Sequence, residues 1–412
     1  MVRKRGMQRE TTSLKTKHPY ATAPMSTPPA VAFAGPGPAG IAIQAIEVCQ
    51  TIQSIDNTVT LVANKATLVR VYLDQSRVAA ATKVRGEMTF KTSAQGPATY
   101  VPAMNELVLD PADGSVIDDK RDAIAKSLNF RLPDAATAAG TLIIEVNRVM
   151  QTGGDDLPLS GPRSATVTFV AAAPLRIRCI GLRYRDAQGK TFSPNAVHFT
   201  YLRSFLERAY PVPSVIWSQI VVDASFAAPF NDDTVVEANM QIAAIRSSEV
   251  NSGVDPRTHY VALVDDGNGK NFMRGRAMGI PTTPQPDTVA SAPCGVPNGF
   301  GGDDDPSYAD WYGAHELGHT FGRYHPGFPP GQQDASDPAF PFQNGQLSNA
   351  DRRFVGYDLG DANLGLPLQS MAGISHHDVM TYANNQWLCQ HTFEGIRVRL
   401  IAEDEQFAPA VA

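Results

Sequence analysis

The chain has 412 residues, with 35 Lys and Arg against 41 Asp and Glu, and its net charge of −6 gives no electrostatic footprint for nucleic acid. A chain this long, 43% hydrophobic and with 31 prolines, divides most comfortably into two domains plus tails. No run approaches the roughly eighteen apolar residues that span a bilayer, so integral membrane association is not expected.

The basic start, Met1 to Arg5, leads into a polar and then Pro/Ala/Gly-rich stretch. With no uninterrupted apolar segment, 1–40 reads as a disordered tail and not as a standard signal peptide. From Ile41 to Ala173, short Val/Thr/Leu-rich runs at 58–63, 67–73, 141–149 and 165–170 are separated by Gly, Pro and Asp. Alternation in Leu68-Val-Arg-Val-Tyr72 and Thr166-Val-Thr-Phe-Val170 predicts half-buried strands, and the regular turns point to an all-β sandwich over 41–173.

After Ala171-Ala-Ala-Pro174 the pattern changes. A strand over 175–184 is followed by helical spacing of Phe199, Leu202, Phe205, Leu206 and Ala209, which stops at Pro211. A strand at 215–222, a helix carrying Val235, Ala238, Ile242 and Ile245, and strands at 259–264, 274–280 and 288–292 follow. This order predicts an α/β (α+β) domain over 174–412, a mixed sheet with helices packed on it.

The segment from Asp305 to His325 carries the chemistry. Asp305 is placed to cap a helix with Pro306 at its first position. His315 and His319 then lie one turn apart on one face, and Glu316 is rotated off it. Gly322 can take positive φ, end the helix and bring His325 back. Three neutral imidazoles with a fourth position open for water describe a catalytic zinc site, in which Glu316 is the general base. His376, His377 and His391 have no ligand spacing to these three.

His315-Glu-Leu-Gly-His-Thr-Phe-Gly-Arg-Tyr-His325 matches HExxHxxGxxH at every fixed position, and here the sequence resembles the metzincin metallopeptidases. The resemblance covers about Pro174 to the C-terminus and, outside its motifs, rests on element order. It implies a Met-turn beneath the zinc, assigned to Met380 in His377-Asp-Val-Met-Thr-Tyr382, with Met371 as the alternative. Tyr382 resembles the Met-x-Tyr arrangement of the astacin and serralysin branches, which implies a phenol assisting the transition state; a pocket-wall role stays open. The resemblance also implies a substrate peptide pairing with the 274–280 strand, and an extracellular setting, although a cytoplasmic one stays open without a visible leader. The runs at 46–52, 61–63 and 68–72 look like the β domains that precede the catalytic domain in some multidomain bacterial metzincins, implying a binding or supporting module.

Ser291-Ala-Pro-Cys-Gly-Val-Pro-Asn298 resembles a cysteine-switch segment, but Pro293 and Asn298 replace the expected Arg and Asp, so Cys294 reads as a loop residue more than as a thiol switch. Cys49, Cys179, Cys294 and Cys389 form no CxxC pair and leave the redox compartment open. Gly301-Gly-Asp-Asp-Asp305 offers oxygens to Ca2+ without a full ligand pattern. The expectation is a zinc endopeptidase acting on polypeptide. The competing readings are a protein- or glycan-binding module with a non-catalytic zinc site, and a zinc hydrolase of a non-peptide amide. Oligomeric state is not legible.

Overall fold

Apolar residues at alternate positions along 41–170 build two sheets in the computed structural model, which describes residues 40–407 apart from 79, 228–229, 268–273 and 298–304. Apart from Gly40, the tail expected over 1–40 lies outside the described residues. In the first sheet, Ile41–Cys49 pairs antiparallel with Leu68–Asp74, which pairs with Leu128–Arg131, while Leu159–Ser160 lines the other side of Ile41–Cys49. The second runs Leu61–Val62, Ser164–Val170, Gly140–Gln151, Thr82–Lys91 and Thr99–Pro102, with Leu107–Leu109 and Asp156–Leu157 attached. Val48, Val69, Val71 and Phe130 from the first meet Met88, Phe90, Ile144, Val146 and Phe169 from the second in one core. A bulge between Glu87 and Met88 shifts the register against Arg148 and Val146. Val149, and not Arg148, is thereby turned inward.

The polar face of Leu68-Val-Arg-Val-Tyr72 differs from expectation, because it is buried as well. Arg70 and Tyr72 face Glu47 and helix α1 (Ile117–Arg121), whose Arg121 pairs with Glu47 at 2.7 Å. Arg70 donates to the Arg121 carbonyl at 2.7 Å and to the Tyr357 hydroxyl at 3.3 Å, and Tyr357 in turn donates to Glu47 at 2.9 Å. Alternation signals two chemically different faces; here both are covered, one by apolar packing and one by a paired ion network.

In the second half, Val215–Asp223, Leu175–Arg185, His259–Asp265 and Ala290–Cys294 form a parallel array, with Thr191–Phe192 and Arg276–Ala277 added antiparallel. Near-continuous apolar strands such as His259–Asp265 suit a sheet covered on both sides. Helix α2 (Ala196–Ala209) starts at the Asn195 cap and buries Phe199, Leu202, Phe205 and Leu206. Helix α3 (Thr234–Asn251) places Val235, Ala238 and Ile242 in a core with Leu182, Tyr260 and Val264. Helices α4 (Ala309–Thr320) and α5 (Gln390–Gln406) join α2 in the other core, against Ile177, Val261 and Ala292. The chain is thus sheet-rich, with a mixed sheet between helices in its second half.

Two strand expectations change. The run at 274–280 is a strand only at Arg276–Ala277, because Gly275 at φ +128° breaks it before Arg276. The run at 288–292 is shifted to Ala290–Cys294. The two halves also interlock across the expected boundary at 173. Ile52–Ser54 pairs with Phe354–Asp358, whose other edge takes Gln369–Met371. The Thr51 carbonyl accepts from Tyr357 N–H at 2.7 Å and Trp387 Nε1 at 2.9 Å.

Candidate metal centre

Helix α4 is buried along nearly its whole length, and small residues let neighbours come close. A Cβ at Gly313 would meet Leu202 at 2.8 Å, and one at Gly318 would collide with the Met380 sulfur. The helix begins later than Asp305 and Pro306 suggest: Tyr308 occupies the cap position, and Asp305 accepts the Ser307 N–H at 2.8 Å in a turn before it. An Asx side chain that satisfies the N–H two residues on makes the same local bond whether or not a helix follows directly.

The helix end follows the sequence expectation. Gly322 has φ +76°, its N–H reaches the His319 carbonyl at 2.8 Å, and the Arg323 N–H reaches Gly318 at 3.0 Å. These two bonds make a Schellman closure, which reverses the chain toward His325.

His315, His319 and His325 converge. The Nε2 of His325 lies 3.1 Å from that of His315 and 3.0 Å from that of His319. Each Nδ1 faces an oxygen that only accepts: Val379 carbonyl at 2.8 Å for His315, Arg323 carbonyl at 2.7 Å for His319, and Asp334 carboxylate at 2.8 Å for His325. The hydrogen bond from His325 holds the Asp334 carboxyl below its usual range, so that oxygen is an anion. Each ring proton therefore sits on Nδ1, and three lone pairs point at one another. Burial and the neighbouring rings depress His315 strongly and His319 to about 4, which keeps both neutral. Three facing lone pairs repel unless a cation lies among them. Imidazole nitrogens held tetrahedrally by one ion at about 2.0–2.1 Å lie about 3.3 Å apart, so the donor set fits zinc. These three histidines, whose candidate ligand atoms all lie within 4.8 Å of one another, could hold a metal ion.

Glu316 is buried, and its Oε2 has no partner among the described residues. Burial pushes this carboxyl well above its usual range, opposed by a backbone hydrogen bond from Ala277 and by the charge of Arg276. Gly275 is required beside it, since a Cβ there would sit 2.6 Å from Glu316 Cγ and Oε1. An orphaned, buried carboxylate oxygen next to three converging imidazoles fits a base that handles the proton of a water.

Met380 packs its sulfur against Gly318 in the turn after Asp378, whose Oδ1 accepts the Met380 N–H at 2.9 Å. The preceding Val379 supplies the carbonyl that orients His315. Met371 lies in the strand opposite Gly356 and is not part of this turn. The Tyr382 ring stands 5.5 Å from His315 and 5.2 Å from His325, centroid to centroid. His391 pairs with Asp337, His377 donates through Nδ1 to the Asn384 carbonyl at 3.0 Å, and His376 lies against Ala372.

Cys294 is not brought into the group. It closes a buried strand instead of sitting on a loop, and burial, with Asp265 and Asp266, drives its thiol well above the ordinary value. A thiol held protonated in the core is not the thiolate a switch needs. All four cysteines are free. For the calcium expectation, 301–304 lie outside the described residues, and Asp305 is engaged with Ser307. Sequence reasoning missed Val379, Arg323 and Asp334 as orienting groups. Two act through backbone carbonyls, which carry no residue signature, and Asp334 is one acid among several in a Pro/Gly/Asp-rich insertion. No protein-family model and no curated protein matches the chain.

Proposed function

We propose that the protein is a zinc-dependent endopeptidase of metzincin type, with His315, His319 and His325 as ligands and Glu316 as the general base. The observation that carries this reading is the convergence of three Nε2 lone pairs whose Nδ1 protons are all committed to oxygen acceptors. Zinc bound there would supply Lewis acidity toward a scissile carbonyl and acidify a water ligand. Glu316 takes the proton of the attacking water and delivers it to the leaving nitrogen, a double role suited to a carboxyl whose pKa burial raises. Val379, Arg323 and Asp334 hold the ligand rings in one tautomer and orientation. Tyr382, beside two of those rings, is placed to contact the reacting group or to wall the pocket. The first half, in this reading, is a β-sandwich module that supports the catalytic half through the Glu47 network and the Ile52–Ser54 pairing.

Casein and a random peptide library, incubated with and without chelator, test the reading. Cleavage that chelator stops, zinc restores and Glu316→Ala abolishes is the expected result. Stoichiometric zinc binding with no cleavage of any peptide would favour the non-catalytic binding module.

A further inference from the structure

The segment that crosses the general base reads Arg274-Gly275-Arg276. Gly275 lies against Glu316, which sets an arginine on either side of the residue closest to the proposed base. Arg274 is half-buried, and its guanidinium carbon stands 4.5 Å from the centroid of the Tyr382 ring, the ring that itself lies beside His315 and His325. The arginines of the central sheet and of α2 are mostly matched: Arg176 with Asp255 and Asp404, Arg178 with Glu249, Arg208 with Asp358. Arg274 has no hydrogen bond or ion pair among the described residues. The nearby carboxylate of Asp334 is turned to His325. A ring face holds the guanidinium in place while leaving its five N–H donors in their forked plane for another group.

We infer that Arg274 reads a carboxylate of the substrate, the side chain of an Asp or Glu adjacent to the scissile bond. The inference rests on the peptidase reading and adds a substrate class to it. A guanidinium fork matches a carboxylate in two parallel hydrogen bonds and does not match an amide or an ammonium so. Stacking on Tyr382 fixes where the acidic residue must lie, one ring away from the ligand histidines, so the selected position is next to the cut and not remote from it. In a chain of net charge −6, Arg274 and Arg276 also set positive charge beside His315 and Glu316.

Cleavage mapping on a random peptide library identifies the flanking position, and matched peptides carrying Glu or Gln there, with free and amidated C-termini, are then compared by kcat/KM. For the zinc-loaded wild type, Glu is expected over Gln by roughly tenfold or more, unchanged by amidation. Arg274→Gln brings the ratio to about one, and Arg274→Lys keeps part of it, since a point charge replaces the fork. A second readout needs no turnover: calorimetric binding of the same peptides to zinc-loaded Glu316→Ala should show the Glu preference, and the added Arg274→Gln should remove it. Cleavage without acidic enrichment, a ratio that survives Arg274→Gln, or a preference that vanishes on amidation and so belongs to the chain terminus, overturns the inference and leaves the peptidase reading standing. A zinc-loaded protein that cuts no peptide removes both.

Discussion

His319 donates its Nδ1 proton to the carbonyl of Arg323, and the N–H of the same Arg323 closes helix α4 on Gly318. One peptide unit thus ends the helix while its neighbour aims an imidazole of the proposed metal site. Ring orientation and helix termination are therefore a single feature, and Gly322 is its pivot.

Gly322→Ala forces a side chain into φ +76° and into contact with Arg399 Nη2 at 2.5 Å and the Pro281 carbonyl at 2.7 Å. A cost of roughly 1–3 kcal/mol is expected from the backbone alone. Denaturant midpoint and zinc affinity, measured by competition with a chromogenic chelator, should fall together. A loss of stability with unchanged zinc affinity would separate the turn from the ligand.

Asp334→Ala should behave differently. The Asp334 side chain is 77% exposed, so its removal leaves the fold near its original stability. The His325 ring loses the acceptor that fixes its tautomer. Zinc affinity is expected to drop roughly 10–100-fold. Competition titration measures this, and an unchanged dissociation constant contradicts the orienting role.

Met380 fills the space that Gly318 leaves open. Met380→Ala should cost roughly 2–5 kcal/mol through the cavity it opens beneath α4. Gly318→Ala should destabilise as well, and the double substitution should cost less than the sum, because each removes what the other collides with. Urea unfolding of the four proteins gives the coupling; simple additivity would mean the contact carries no weight.

The Glu47 to Arg121 network gives a pH signature away from the metal. Burial alone would raise the Glu47 carboxyl, but Arg121, Arg70 and Tyr72 outweigh it and hold its pKa below the ordinary glutamate value of 4.5. A depressed folded value means the contribution is present above pH 4.5 and is lost as pH falls through the lower folded value, since protonation then favours the unfolded chain. Metal-free wild type should lose stability over that window more steeply than Glu47→Gln. Arg121→Ala should cost roughly 3–5 kcal/mol and lower one cooperative transition of both halves. Two separate transitions would show that the halves fold independently.

The histidines and Gly322 could be placed from the sequence because helix periodicity and the need for positive φ act through side-chain identity. The start of α4 could not, since Asp305 forms its turn with Ser307 without reference to the helix beyond. The alternation at Leu68 to Tyr72 located a strand but not its surroundings: Arg70 and Tyr72 look like a solvent face, and only Glu47 and Arg121, distant in sequence, show that they are buried. The shortening of the 274–280 strand follows from Gly275, whose conformation answers to Glu316 on another element. Cys294 looked like a loop residue amid Pro and Gly, yet Pro293 fits the strand opposite Val264.

Solvent-oxygen incorporation tests the central claim most directly. Zinc-loaded protein is incubated with peptide substrate in 18O-labelled water, beside zinc-loaded Glu316→Gln with its metal content checked. Internal cuts whose new C-terminal carboxylates carry the label are expected, and in the variant retained zinc with cleavage reduced by at least a thousandfold, on the order of a general-base loss. Label-bearing products formed equally by Glu316→Gln, or zinc-replete wild type that leaves every peptide intact, would contradict the claim.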